Sequence, residues 1–332
     1  METLVSVILP VRNGGDFLKA AVESILGQSF TALELIVVDD HSDDPAVRDL
    51  PASDSRLIRL ENPGRGVSSA FNHGLEHATG RYIARMDADD ISLPGRIQRQ
   101  YQYLEANPDI DISGACVEIF SAQELGGGNA RYQAWLNACR SPQQISRELF
   151  IESPIPNPTA MFRIEALRRL GGYQDPGWPE DYDLFLRADA LGMRMGKPQE
   201  ILFRWREHPA RLTHSDPRYG REKFQQAKAC YLSRHRLGDK GPVLIWGAGP
   251  GGRLMHDLLR EQGTPIMGFL EVHPRRIGGQ KRGLPVWPIG KLGQMTGVFT
   301  VVAVGSAGVR PEIREFMRRH DRIEGKHYLF VV

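Results

Sequence analysis

The chain has 332 residues, 41% of them hydrophobic and 25% charged, with 42 Lys and Arg against 40 Asp and Glu. That balance excludes a disordered polyelectrolyte, and a net charge of +2 gives no general attraction to nucleic acid, so no nucleic-acid partner is expected. At roughly 100–200 residues per domain the length predicts two domains, and three scattered cysteines (Cys116, Cys139, Cys230) indicate a reducing, cytoplasmic setting rather than a disulfide framework.

Residues 1–13 lack a basic region and a signal-length apolar core, so no export signal is expected. No apolar run approaches the ~20 residues of a spanning helix, which leaves peripheral contact at the inner face of a membrane as the open membrane reading. Residues 4–10 (LVSVILP) read as a buried parallel strand stopped by Pro10. Residues 16–27 follow with a helical period and Asp16 as the expected cap. A strand at 33–38 (LELIVV) runs into Asp39 and Asp40, and another at 56–60 precedes a glycine-containing turn and a helix through His77. A fourth strand, 81–86 (RYIARM), runs into Asp87, Asp89 and Asp90. Strand and helix alternate, which predicts an α/β fold with a mainly parallel, mixed sheet and helices on both faces. Ligands of such sheets bind outside the carboxyl ends of the strands, so the polar loops after Leu9, Val38 and Met86 converge on one crevice.

Residues 109–207 read as an elaboration of the first domain, with a turn at Gly126-Gly127-Gly128 and a strand near 200–205. The expected division is 1–220 for the first domain, 221–240 for a helical linker and 241–332 for a smaller α/β domain. Hard oxygen ligands at Asp87 and Asp89 suit Mg²⁺ or Mn²⁺. The other reading is solvated loop acids, with Asp90 capping the helix after Pro94. Asp39 and Asp40 similarly read either as turn and cap chemistry or as acceptors for a nucleobase or ribose.

Five blocks together resemble the family 2 glycosyltransferases, enzymes of the GT-A fold: residues 5–13 (VSVILPVRN), 20–30 (AAVESILGQSF), 35–43 (LIVVDDHSD), 72–90 (NHGLEHATGRYIARMDADD) and 171–186 (GGYQDPGWPEDYDLFL). The resemblance implies a nucleotide-diphosphate sugar donor, a divalent metal and an acceptor hydroxyl on a saccharide or lipid-linked chain, in glycan or polysaccharide assembly. It places Pro10, Arg12 and Asn13 along the nucleotide pocket, Asp40 with Asp39 behind it on the base, and Asp87 near the ribose and the metal. Asp89 becomes the direct metal ligand, and Arg12 and Arg65 become candidates for the diphosphate. Glu180-Asp181 matches the family's downstream acids, with Asp181 as general base and Glu180 as second choice, because a sugar hydroxyl must lose its proton as it attacks. The alternative is that these acids cap the following helix. Trp178 is placed to stack on a sugar or simply to pack. His208 or His214 is placed to complete the metal site. Attack in line with the leaving diphosphate inverts the anomeric carbon. The sequence departs from many members in having Phe71, not Arg, before Asn72.

In the last segment, residues 247–252 (GAGPGG) fit G-x-G-x-x-G between a strand and a helix, with Glu271 ending the next strand. Gly247, Gly249 and Gly252 thereby match the dinucleotide fingerprint, and Glu271 the ribose acceptor. The block resembles Rossmann-like nucleotide-binding domains on sugar-modifying enzymes. A nucleotide ligand and a purely structural or docking role both remain open. A nicotinamide-dependent oxidoreductase centred on this turn leaves the three acid loops unexplained. A non-catalytic nucleotide-sugar binder leaves Asp87, Asp89 and Asp181 without a purpose.

Overall fold

The computed structural model describes residues 4–51, 53–238, 240–306 and 308–332; residues 1–3 of the expected polar terminus and Asp239 of the expected linker lie outside them. The chain divides into two compact units, Met1–Ile145 with Pro154–Pro217, and Ser146–Ser153 with Arg218–Val332.

In the first unit, β1 (Val5–Val11), β2 (Leu33–Asp39), β3 (Leu57–Glu61) and β4 (Tyr82–Arg85) alternate with helices α1 (Gly15–Leu26) and α2 (Val67–His77). After β5 (Ile91–Ser92) come α3 (Arg96–Ala106), β6 (Ile112–Ser113), β7 (Cys116–Phe120), α4 (Gly127–Ala138) and α5 (Pro142–Glu148). Then follow β8 (Met161–Arg163), α6 (Ile164–Leu170), α7 (Glu180–Ala190), β9 (Met195–Gly196), β10 (Ile201–Arg206) and the short α8 (Leu212–Ser215). Seven strands form one sheet in the order β3-β2-β1-β4-β8-β6-β9, and β5-β10-β7 form a second. The pairs β3-β2, β2-β1 and β1-β4 are parallel and β8 is antiparallel to β4 and β6, giving the mainly parallel, mixed sheet expected. Every residue of β1 is buried, as a central parallel strand covered on both faces requires.

Pro10 does not stop β1. It pairs in register with Val38 on β2, whereas the pairing with β4 ends at Ile8 and Arg85. A missing N–H costs nothing where one neighbour has already left, so this divergence opens the sheet at its carboxyl edge beside Pro10. Two local expectations are corrected. Asp16 lies in the first turn of α1, whose N-cap is Gly14 without a side-chain bond. Gly127 and Gly128 begin α4 rather than only forming a turn.

In the second unit, α9 (Arg221–Tyr231) runs into a wider helical turn, Leu232–Leu237, so the segment expected as a linker is an ordered part of this unit. It is followed by β11 (Val243–Trp246), α10 (Pro250–Glu261), β12 (Ile266–Glu271), β13 (Gln280–Lys281), β14 (Leu284–Pro288), β15 (Phe299–Val302), α11 (Arg310–Arg319) and β16 (Tyr328–Phe330). The order β14-β12-β11-β15-β16 is parallel throughout, with β13 antiparallel at one edge. Its first strand is therefore central and the strand order reverses beside it. Among the described residues no helix is long and apolar enough to cross a membrane.

Candidate active site

Short polar contacts lace together the carboxyl ends of β1, β2 and β3. Asn13 has a φ of 54°; it donates its N–H to Ser42 Oγ (2.9 Å) and accepts the Asp43 N–H on Oδ1 (2.7 Å). Asp39 Oδ1 accepts the Ser42 N–H (2.9 Å). Asp40 is buried and accepts from Asn62 Nδ2 (2.7 Å) and from the Gly66 N–H at the start of α2 (2.9 and 3.0 Å). The turn reading of this Asp pair is thus realised, whereas α2 has no side-chain cap. Arg12 and Arg65 are exposed at the same edge.

The acid loop leaves β4 beside β1, where the Met86 N–H donates to the Ile8 carbonyl (3.0 Å). Asp87 Oδ1 accepts from Arg85 Nε (2.9 Å). Asp89 Oδ2 lies 2.8 Å from His208 Nε2, and the His208 ring packs against Phe17 of α1 at 5.3 Å between centroids. Asp90 is not the helix cap, because α3 begins after Gly95, a left-handed residue (φ 84°). Instead its Oδ1 accepts the Arg206 N–H (2.7 Å), and its Oδ2 is buried without a hydrogen-bond partner. Burial first, then the charges of Asp89 and Asp87, hold the Asp90 carboxyl well above the usual range. Arg206 also donates from Nε to the Asp89 carbonyl (2.6 Å) and lies over Phe17 and Phe120 at 4.4 and 4.5 Å. The end of β10 is therefore strapped to the acid loop. His214 pairs instead with Glu207 Oε1 (2.6 Å), so His208 is the candidate histidine that reaches Asp89.

Among the described residues no three His, Cys, Asp or Glu side chains converge as a ready metal cage. A hard divalent ion held by one or two carboxylates plus substrate phosphates needs no such cage. The donor set of Asp89, Asp87 and the adjoining His208 suits that mode.

Glu180 and Asp181 open α7 after Pro179, with Asp183 also in its first turn. Asp181 Oδ1 accepts the Tyr182 N–H (2.7 Å), and three acids at a helix amino terminus are favourably placed against its dipole. The Trp178 indole N–H is held by Asp183 Oδ1 (2.9 Å), which fixes the half-buried ring. Asn72 of α2 clamps the preceding loop: its Nδ2 donates to the Tyr173 carbonyl (2.8 Å) and its Oδ1 accepts the Tyr173 N–H (2.9 Å). Gly172 (φ 69°) makes this possible, since a Cβ there would lie 2.4 Å from Asn72 Oδ1.

The family model for glycosyl transferase family 2 matches residues 6–171, half of the chain. The chain belongs to glycosyl transferase family 2. This family 2 glycosyltransferase is 35% identical over 211 residues to the putative glycosyltransferase EpsE of Bacillus subtilis, a match covering 61% of the chain and 73% of the relative. Its fold is shared with S. aureus TarS 1-349, solved with UDP-GlcNAc (TM-score 0.57, 16% identity, 70% of this chain and 68% of that one). It is also shared with the mannosyltransferase PcManGT from Pyrobaculum calidifontis, solved with GDP-Man and Mn²⁺ (TM-score 0.50, 23% identity, 71% and 63%). At these identities the likeness establishes the GT-A fold.

Several residues at the site of this family 2 enzyme carry geometry that motif reading misses: Arg85, Tyr173, Arg206 and the buried Asp90. The legible signal for Arg85 is a charge in an otherwise apolar strand, since arginine is rarely fully buried unless paired. Arg206 carries no comparable signal, because an arginine at a strand end is ordinarily solvated.

In the second unit, Gly247 (φ 116°) packs against the Ala303 carbonyl, and a Cβ on Gly252 would lie 1.8 Å from the Gly247 carbonyl oxygen. Gly249 has no such constraint; a Cβ there meets only Arg276 Nη1 at 3.7 Å. Glu271 is buried and already engaged: it accepts from Ala248 N–H (3.3 Å), Val272 N–H (2.9 Å), His273 N–H (3.2 Å) and Arg276 Nη1 (3.0 Å). Burial pushes its carboxyl up, and these donors outweigh that and hold it below the usual range. A ribose here would have to share a carboxylate that already binds the turn.

Proposed function

We propose that this family 2 glycosyltransferase is an inverting, divalent-metal-dependent enzyme. It moves a sugar from a nucleotide-diphosphate sugar to a hydroxyl of a saccharide or lipid-linked acceptor. The observation that carries this reading is the Asp89–His208 pair at the carboxyl edge of the parallel strands, where ligands of such sheets bind. Asp89, with Asp87 and His208 beside it, would hold Mg²⁺ or Mn²⁺. When bound, that ion offsets charge building on the leaving diphosphate. Pro10, Arg12 and Asn13 line the nucleotide side, Asp40 backed by Asp39 meets the base with its remaining acceptor capacity, and Arg65 reaches the diphosphate. Asp181, with Glu180 as the alternative, takes the acceptor proton during a direct displacement, so no covalent enzyme nucleophile is needed. Trp178 offers a ring face fixed by Asp183.

For the second unit, the central first strand and the unconstrained Gly249 favour a Rossmann-like nucleotide-binding or docking module. The glycine turn is not the donor site in this account.

Asp89→Ala and Asp181→Ala should each abolish transfer; loss of a general base alone costs roughly 10²–10⁴-fold. Asp89→Ala should also weaken metal-dependent donor binding by about tenfold or more, ~1.4 kcal/mol, whereas Asp181→Ala should leave it intact. Steady-state turnover with calorimetric donor titration separates the two, and normal turnover by both variants would sink the mechanism.

A further inference from the structure

Arg85 is the last residue of β4 and its side chain is buried. The guanidinium lies over two aromatic rings, Phe71 of α2 at 5.5 Å and Tyr173 at 5.1 Å. Its Nε donates to Asp87 Oδ1 at 2.9 Å, and its Nη1 is buried with no hydrogen-bond partner. Tyr173 is itself fixed at two points, through its backbone by Asn72 and through its hydroxyl, which donates to Asn157 Oδ1 (2.5 Å). One buried cation thus touches the acid loop through Asp87 and the loop before α7 through the Tyr173 ring.

A slot needed only for packing would be filled at lower cost by an apolar side chain, because a desolvated charge with an unmet N–H is expensive. What the charge supplies is orientation. A planar guanidinium packed against two touching rings and hydrogen-bonded through Nε is held in one orientation, so its Nε–H fixes one Asp87 oxygen. We infer that Arg85 is a positioning residue that sets the Asp87 carboxylate for donor binding and packs the acid loop against Tyr173. This inference rests on the assignment of Asp87 to the donor site made above.

The test is a double-mutant cycle on the full chain. It reads Mn²⁺-dependent nucleotide-sugar affinity by calorimetry, together with kcat and KM, for Arg85→Met, Arg85→Lys, Asp87→Asn and the paired variants. Because Arg85 acts through Asp87, Arg85→Met should weaken donor affinity and raise KM by roughly tenfold or more, and should add little in the Asp87→Asn background. Arg85→Lys keeps the charge but not the planar fork, and should recover only part of the loss. Full additivity of the two losses would overturn the inference, as would a folded Arg85→Met with unchanged donor affinity. If Arg85→Met does not fold, Arg85→Lys carries the cycle, and failure of both to fold makes the residue merely structural and equally overturns it. If Asp87→Asn itself leaves donor affinity intact, the assignment of Asp87 fails first.

Discussion

Lys197 is as buried as the core around it, and its ammonium donates to the carbonyls of Leu136 (2.5 Å) and Pro154 (2.7 Å). Among the described residues no carboxylate partners it, and burial pulls its pKa from 10.5 to about 8. A lysine with a depressed folded-state pKa costs stability wherever the unfolded chain is protonated and the folded chain resists it. That cost is full below about 8 and disappears as pH rises through 10.5, so this residue makes stability increase across that window. Chemical denaturation of Lys197→Met should show a slope smaller by a total of about 3 kcal/mol between those limits. Identical pH slopes for the variant and the parent would contradict it. At this scale the placement of Asp87 and Asp89 after β4 and of Asp181 opening α7 is legible, because it follows from the order of the elements. The choice of His208 over His214 is not, because the Asp89 contact joins residues 119 positions apart through the strap at the end of β10.

Elements are more readable than contacts. β1, β2 and β4 stand out because a parallel strand buried on both faces writes a near-continuous apolar run, and β11 lies directly before the glycine turn, where a strand is expected. Pro10 looked like a terminator because proline lacks a donor, yet the strand continues where only one neighbour remains. The helix α10 begins at Pro250, inside the glycine turn, since proline suits the first turn. Gly252 therefore lies inside a helix. An ordinary helix-interior Gly→Ala change stabilises by roughly 0.5–1 kcal/mol. Here the new Cβ would meet the Gly247 carbonyl oxygen at 1.8 Å, so Gly252→Ala should destabilise, by about 1–3 kcal/mol as overpacking does. Gly249→Ala should change stability by only about 0.5 kcal/mol. Urea titrations of both variants check the sign, and a Gly252→Ala chain as stable as the parent would show that the turn is not packed as described.

For the whole molecule, length points to two domains, and the chain divides into two compact units. Their boundary was hidden because the segment Ser146–Ser153 joins the second unit across a long sequence gap. Ile151 belongs to that unit's apolar cluster, and Lys228 Nζ donates to its carbonyl (2.7 Å). No local pattern marks such an exchange. In the proposed function near-neutral charge has a local meaning: one metal, itself held by a few acids, together with Arg65 would hold the diphosphate instead of a basic surface. The most direct test of that claim is a thermal-shift titration of the full chain against a panel of nucleoside-diphosphate sugars, with Mn²⁺ or with chelator. At about 100 times Kd a true donor adds about 2.7 kcal/mol to stability. At least one donor should do so with Mn²⁺, lose the effect with chelator, and lose it in Asp89→Ala. Donor stabilisation that survives both the chelator and Asp89→Ala would contradict the account.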